Sequence, residues 1–282
     1  MALAIVTADQ RRATNTVKGM IWGQAGVGKT TLLKTLDPAT TLTLNIEGGM
    51  LSVERDDEFG PAWAGDSINL ETWPEAKAVL QGLKSNHPDF AKYKTVFIDS
   101  MSKATNLCFV WAQAQPEAFS EKTGAPDVRG AYGLLARECV EWCNEWKHLP
   151  GRNVWIVGGL EQKEVDGIRD WKPLTMGGKL ANELPYIMDF NLVMGRIKAA
   201  DGKTYRVLFT DPDLNPEYAS VPVKTRVRLA QYEEPHLGKL IAKAISLPPK
   251  SAVTAPPPSS VSTTPGDGTA TTPTNATQSE AA

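Results

Sequence analysis

The run Gly23-Gln24-Ala25-Gly26-Val27-Gly28-Lys29-Thr30 constrains this chain more than any other feature, because it matches G-x-x-x-x-G-K-[ST] in full. It follows an apolar, β-like run (VKGMIW, residues 17–22) and leads into TTLLKTL at 30–36. That is the strand–loop–helix setting the motif demands. Each residue type has a reason. Gly26 and Gly28 let backbone amides turn inward around phosphate oxygens with no Cβ in the way. Lys29 places an ammonium on the β- and γ-phosphates, and the Thr30 hydroxyl is offered to Mg²⁺. A helix expected over residues 30–36 would add its positive end. With Thr31, residues 23–31 form a cradle for a nucleoside triphosphate, read as ATP with Mg²⁺.

The rest of the folded part alternates strand-like and helix-like periods. TLTLNI (41–46), KTVFIDS (94–100) and NVWIV (153–157) are β-branched runs of strand length. Thr72 and Glu75 make a T-x-x-E capping box, followed by Trp73 and then Ala76, Val79, Leu80 and Leu83 at helical spacing. Tyr132, Leu135, Cys139, Trp142, Cys143, Trp146 and Leu149 form a longer helical stripe, stopped by Pro150-Gly151. Such alternation implies a mostly parallel sheet flanked by helices. FNLVMGR and TYRVLFT flank AADGK, whose Asp201-Gly202 marks the turn of an antiparallel hairpin near the C-terminal end. A helix over 235–245 closes the domain. The expected organisation is a leading segment (1–16), an α/β core (17–246) and a Pro/Ser/Thr-rich tail (247–282). That tail has no aromatic residue to offset the backbone entropy of folding, about 1–2 kcal/mol per residue, and reads as disordered.

Composition narrows the function classes. With 41% hydrophobic residues the chain supports a substantial core, and a net charge of −2 excludes a global polycation, so nucleic acid contact needs a local basic patch. Three cysteines are too few for a disulfide scaffold. The start MALAIVTADQRR does not read as a secretory signal, and no apolar run approaches the ~20 residues of a membrane span. The expectation is a soluble cytoplasmic protein with no membrane partner.

Two carboxylates complete the phosphate chemistry. Asp99 ends the strand TVFID, expected to neighbour the strand before the glycine loop, where it can hold the water shell of Mg²⁺. The alternative is a cap for the following helix, a task Ser100 or Ser102 can also perform. Glu47 follows TLTLNI and precedes Gly48-Gly49, where it can orient and deprotonate the attacking water. Its alternative is a solvated carboxylate at a strand end.

The order glycine loop, LNIEGGML, TVFIDSMSKAT resembles the RecA-type recombinase core, and is most similar to short phage RecA-like ATPases of the single-strand annealing and nucleotide-binding kind. The resemblance covers residues 17–229. It implies a RecA-like P-loop NTPase fold, with Lys29 and Thr30 on phosphate and Mg²⁺, Glu47 as activating carboxylate and Asp99 as the magnesium residue. It further implies a homo-oligomer, ring or filament, on single-stranded DNA, with a single-strand binding protein as partner, in the cytoplasm of a bacterial host if phage-encoded. The chain lacks the terminal domains of bacterial RecA. Gln162 in LEQK is the nearest candidate for that family's glutamine sensor.

VKTRVRL places Lys224, Arg226 and Arg228 on one side of a strand-like segment. Several RecA-like ATPases carry a similar K-x-R that reaches a neighbouring subunit's γ-phosphate. The alternative is a solvated basic edge. DNA contact has two candidate segments, 120–129 and 161–179. The second offers Lys163, Arg169, Lys172, Lys179 and Trp171, a ring able to stack on a base, although Glu161, Glu164, Asp166 and Asp170 nearly cancel its charge. An ordinary mobile loop, with Trp171 packed on the core, is the alternative. Cys139 and Cys143, one helical turn apart with only His148 near, read as buried small hydrophobes instead of a metal site. The sequence therefore implies a DNA-stimulated ATPase of phage-type recombination or annealing. A nucleotide-switched loading factor that binds protein, or a small-molecule kinase, stands as the alternative.

Overall fold

Period-two alternation along the apolar runs gives the central sheet two buried faces, and each face is covered differently. The computed structural model describes Thr7 and residues 15–57, 59–165, 168–211 and 218–246. The expected tail and most of the leading segment lie outside the described residues, and Arg169 is described by its backbone only.

The strands are β1 (Lys18–Gly23), β2 (Thr41–Asn45), β3 (Asp66–Asn69), β4 (Thr95–Asp99), β5 (Asn153–Val165), β6 (Ile168–Pro173), β7 (Phe190–Lys198), β8 (Thr204–Phe209) and β9 (Tyr232–Glu233). The α-helices are α1 (Trp73–Lys84), α2 (Met101–Gln113), α3 (Val128–His148), α4 (Gly178–Ile187) and α5 (Leu237–Ser246). The sheet order among the described residues is β3-β2-β4-β5-β1-β7-β8-β9, with β6 paired to β5. From β3 to β7 every neighbouring pair is parallel; β7–β8 and β8–β9 are antiparallel. The expected mostly parallel sheet with flanking helices and a late antiparallel hairpin is what forms.

Met20, Trp22, Leu44, Ile98 and Ile156 point to the face covered by α1 to α4, where Trp73, Cys139, Trp142, Cys143 and Trp146 pack. Ile21, Phe97, Trp155 and Leu192 point to the other, under Leu32 and Leu33 of the segment after the glycine loop and Leu237 and Leu240 of α5. Cys108, Cys139 and Cys143 are all buried free thiols, and no metal-binding cluster occurs among the described residues. No described helix is long and apolar enough to cross a membrane. Trp22 is fully buried and donates from Nε1 to Asn191 Oδ1 at 2.7 Å, so its polar atom is satisfied inside the core. A Cβ on Gly158 would come within 2.3 Å of the Trp22 ring, so β5 needs glycine there for the ring to lie flat.

Local signals act as the sequence implied at α1. The Thr72 hydroxyl accepts from the Glu75 amide at 3.4 Å while Glu75 accepts from the Thr72 amide at 3.0 Å. Three expectations are corrected. The segment after the glycine loop is not an α-helix over 30–36 but a six-residue 3₁₀ turn, Thr30–Thr35, closed by extended Leu36 with Pro38 just beyond. The polar segment 161–179 is not a loop: its first part pairs as a β5–β6 ribbon and its end starts α4. The run VKTRVRL is not a strand, since Lys224 makes only an isolated bridge to Asn191.

Candidate functional site

The segments that follow β1 and β2 open on a cavity of about 620 Å³ lined by the glycine loop, Glu47, Phe59 and Arg206. Gly26 and Gly28 carry φ of +71° and +103°, values that side chains with a Cβ rarely adopt. These two torsions turn the loop around the cavity. Lys29 Nζ donates to the carbonyls of Gly23 and Gln24 at 3.0 Å each, which holds the ammonium over the loop. Burial pushes its pKa down, while Asp99 and Glu47 pull it back. Within the loop, Thr31 Oγ1 donates to Gly28 O at 2.6 Å, Val27 is buried as an anchor, and Gln24 Nε2 donates to Tyr218 Oη at 2.9 Å. Ala25 is exposed at the loop tip.

Thr30 Oγ1 donates to Asp99 Oδ2 at 2.6 Å. Asp99 is only 3% exposed, and its pKa is pushed up to about 6. Burial is the main cause; the Glu47 carboxylate beside it adds to the rise, and the Thr30 and Lys29 contacts oppose it. Glu47 stands beside Asp99, so two carboxyl groups and one hydroxyl gather in one place. This all-oxygen donor set suits a hard divalent cation, and a carboxylate short of compensating positive charge is what such a cation satisfies. The residues fit Mg²⁺.

The expected adjacency of the Asp99 strand to β1 does not hold: β5 lies between them, pairing with β1 at Gly23–Gly159 and with β4 at Asp99–Val157. Thr30 still reaches Asp99 because the loop after β1 carries it across the end of β5. Ser100 takes the capping task left open for Asp99, accepting from Lys103 N at 3.4 Å. Since the 3₁₀ turn is so short, the phosphate cradle rests on loop amides and Lys29, with no long helix dipole behind it.

Other expected residues lie elsewhere. Gln162, Lys163 and Lys172 sit on the ribbon that extends β5 beyond the sheet, with Gln162 opposite Trp171. Lys163 pairs with Glu161 at 2.8 Å and Lys172 with Asp170 at 3.5 Å. Trp171 packs on the core beside Tyr218, ring centroids 5.9 Å apart. Residues 120–129 form a turn closed by a Phe119–Pro126 bridge and the capped start of α3. Lys224 Nζ donates to Tyr186 O at 2.7 Å, and Arg226 Nε lies 3.3 Å from Asp189 Oδ1. Both stand near the start of β7, at the end of the sheet opposite their own glycine loop. Arg226 thus has an acidic partner that the sequence places 37 positions away.

Two cations went unread in the sequence. Arg196 Nη2 donates to Gly26 O at 3.1 Å, and Arg206 lines the cavity with its guanidinium 4.6 Å from the Phe59 ring centroid. The available signal was the hairpin register, which sets Arg196 opposite Arg206. Only the placement of β7 beside β1 brings the pair to the loop.

Comparison with solved structures gives distant likenesses. An ATPase from the type III secretion system of pathogenic bacteria matches at 14% identity and TM-score 0.37, covering 64% of this chain and 51% of that one. The chain therefore spans about half the length of that ATPase. The RadB recombinase matches at 15% identity and TM-score 0.37, over 70% of this chain and 80% of that one. The flagellar accessory protein FlaH of Methanocaldococcus jannaschii matches at 10% identity and TM-score 0.37, over 86% and 95%. No curated protein sequence matches the chain. The AAA domain family matches residues 15–217, which include the glycine loop, Glu47, Asp99, Arg196 and Arg206. The chain belongs to the AAA domain family, and its glycine loop has the P-loop form.

Proposed function

We propose that the chain hydrolyses ATP with Mg²⁺ under stimulation by single-stranded DNA, in phage-type recombination or single-strand annealing. The observation that carries the hydrolytic part is the convergence of Lys29, Thr30, Asp99 and Glu47, with Thr30 Oγ1 2.6 Å from Asp99 Oδ2. Lys29 holds the β- and γ-phosphates, and Thr30 with Asp99 holds the cation. When bound, Mg²⁺ neutralises phosphate charge. Glu47 accepts a proton from water as the water oxygen bonds to the γ-phosphorus. The bond to the bridging oxygen breaks, and its electron pair stays on the β-phosphate.

DNA is assigned to the β5–β6 ribbon, which extends β5 from the same end of the sheet as the site. Gln162 would sense nucleotide, with Lys163 and Lys172 on the DNA backbone; the side chain of Arg169, the third candidate, lies outside the described residues. Lys224 and Arg226 would complete a neighbouring subunit's site in a homo-oligomer, and a single-strand binding protein would present the DNA. One observation favours the loading-factor reading: the ribbon's Lys163 and Lys172 are already paired with Glu161 and Asp170, so its charge is low. The deciding experiment is ATP turnover with and without single-stranded DNA, using Lys29→Ala as the inactive control. Stimulation supports the DNA reading. Turnover indifferent to DNA would refute it and leave the loading factor.

A further inference from the structure

Arg196 and Arg206 are register partners in the β7–β8 hairpin, so both side chains leave the same face of the ladder. Like charges placed directly opposite destabilise a strand pair. Both arginines nonetheless point at the glycine loop. Arg196 Nη2 is tied to Gly26 O at 3.1 Å. Arg206 Nη1 lies 3.4 Å from where a Cβ on Gly28 would stand, in the same cavity as Lys29, Thr30 and Glu47.

The Arg206 guanidinium is also braced. Phe59 lies under it at 4.6 Å, and the Phe59 loop is pinned from below by Lys34. Lys34 binds Asp57 Oδ1 at 2.9 Å and donates to the Arg55 and Gly60 carbonyls. Lys34 itself belongs to the 3₁₀ turn that follows the glycine loop. The two sides of the brace therefore spring from the hairpin and from the loop's own continuation.

We propose that Arg206 is a phosphate-binding cation supplied in cis, engaging the β-phosphate of the nucleotide held by its own subunit. Arg196 and Phe59 are its positioning residues. The proposal rests on the ATPase reading of the site. In a loose transition state the electron pair of the breaking γ-phosphorus–oxygen bond passes to the β-phosphate, so charge grows beside Gly28, where Arg206 stands. A planar guanidinium meets two phosphate oxygens at once, which an ammonium does not. Arg206 and Arg226 would then act on different sites, one from within and one from a neighbour.

The test uses Arg206→Gln and Arg206→Lys in the full chain, with folding checked by thermal melting. ATP turnover and the affinities for ADP and AMP are measured. Arg206→Gln keeps the stem over Phe59 and removes the charge; turnover should fall about 10²-fold. ADP should bind more weakly while AMP, lacking the β-phosphate, is little changed. Arg206→Lys should recover part of both losses. Mixing Arg206→Gln with Lys29→Ala subunits should restore nothing, since every site then lacks one of its own groups. Equal defects in the Gln and Lys variants would make Arg206 a packing residue and overturn the proposal. So would parent-like ADP affinity in Arg206→Gln, or recovery on mixing. Parent protein without turnover would instead sink the ATPase reading, and the ADP and AMP affinities would still decide the place of Arg206.

Discussion

Lys18 offers a quantitative check on the end of the sheet opposite the nucleotide site. It begins β1, is 4% exposed, and donates to the carbonyls of Leu149 at 2.7 Å and of Arg152. Burial first, then the neighbouring Lys147, push its pKa down from 10.5 to about 7, while Asp189 opposes them. The folded state therefore binds fewer protons than the unfolded chain between pH 7 and 10.5, and stability contributed by this site rises with pH across that window. Below about pH 7 both states hold the proton and the cost is constant. At 1.36 kcal/mol for each unit of separation, the relief between pH 7 and pH 9 is about 2 kcal/mol. Lys18→Met removes the titration but keeps the volume, and leaves two buried carbonyls short of a donor. Urea midpoints at pH 7, 8 and 9 should show the parent gaining on Lys18→Met by about 2 kcal/mol in total. The difference between the two proteins removes groups common to both. Parallel profiles, or a parent that loses ground as pH rises, would refute a depressed lysine at the base of β1.

Three further outcomes follow from single contacts. Glu47→Gln should bind ATP as the parent does and turn it over about 10²–10⁴-fold more slowly, measured by single-turnover kinetics; parent-like turnover would return Glu47 to a structural role. Gly158→Ala forces a Cβ to within 2.3 Å of the Trp22 ring and should destabilise the fold by about 1–3 kcal/mol in urea, an unchanged midpoint refuting the close packing. Trp22→Phe strands Asn191 Oδ1, which now accepts at 2.7 Å, and should cost about 1–3 kcal/mol beyond the lost ring area; a smaller loss would mean the carbonyl finds another donor.

The parts of the site carried by consecutive residues were legible, and the parts assembled by strand order were not. Gly26, Gly28, Lys29 and Thr30 follow from one motif, and Glu47 and Asp99 from strand ends; Asp99 meets Thr30 as the chemistry requires. No local pattern says that β5 intervenes between β1 and β4, because NVWIV and TVFID are equally good buried strands. The edge strand β3, DSIN, is polar and mostly exposed, with Ile68 its one apolar residue, too little for a strand signal. For residues 161–179 the sequence leaves a DNA-contacting segment and an ordinary loop both open; in the fold its charges become neighbouring pairs such as Lys163–Glu161. α4 was missed since Pro185 sits inside it and Gly177-Gly178 opens it. Trp171 had two readings, and contact with Tyr218 places it on the core. The arginines of the hairpin needed the position of β7 beside β1, a long-range fact that periodicity does not encode.

The two ends of the sheet pose different demands on a cation, and this bears on the trans role proposed for Arg226. At the nucleotide end Arg206 lines the cavity, with Phe59 bracing its guanidinium. At the far end Arg226 already touches Asp189, so reaching a neighbour's γ-phosphate requires it to leave that carboxylate. The exchange is cheap for two reasons. Arg226 has a side chain 63% exposed, and an ion pair that open to water contributes about 0–1 kcal/mol. Asp189 also keeps a second partner, Lys147, so its charge is not left bare when the guanidinium departs. Lys224 is less free: burial is the first cause of its lowered pKa, and its ammonium is tied to the Tyr186 carbonyl at 2.7 Å. Of the two, Arg226 is the freer to move, while Lys224 would have to leave the Tyr186 carbonyl to join it. Arg226→Ala should then lower turnover only in assembled protein, and mixing it with Lys29→Ala should restore part of the activity, the reverse of the result expected for Arg206. Mixed assemblies that recover nothing would leave Arg226 as the surface partner of Asp189.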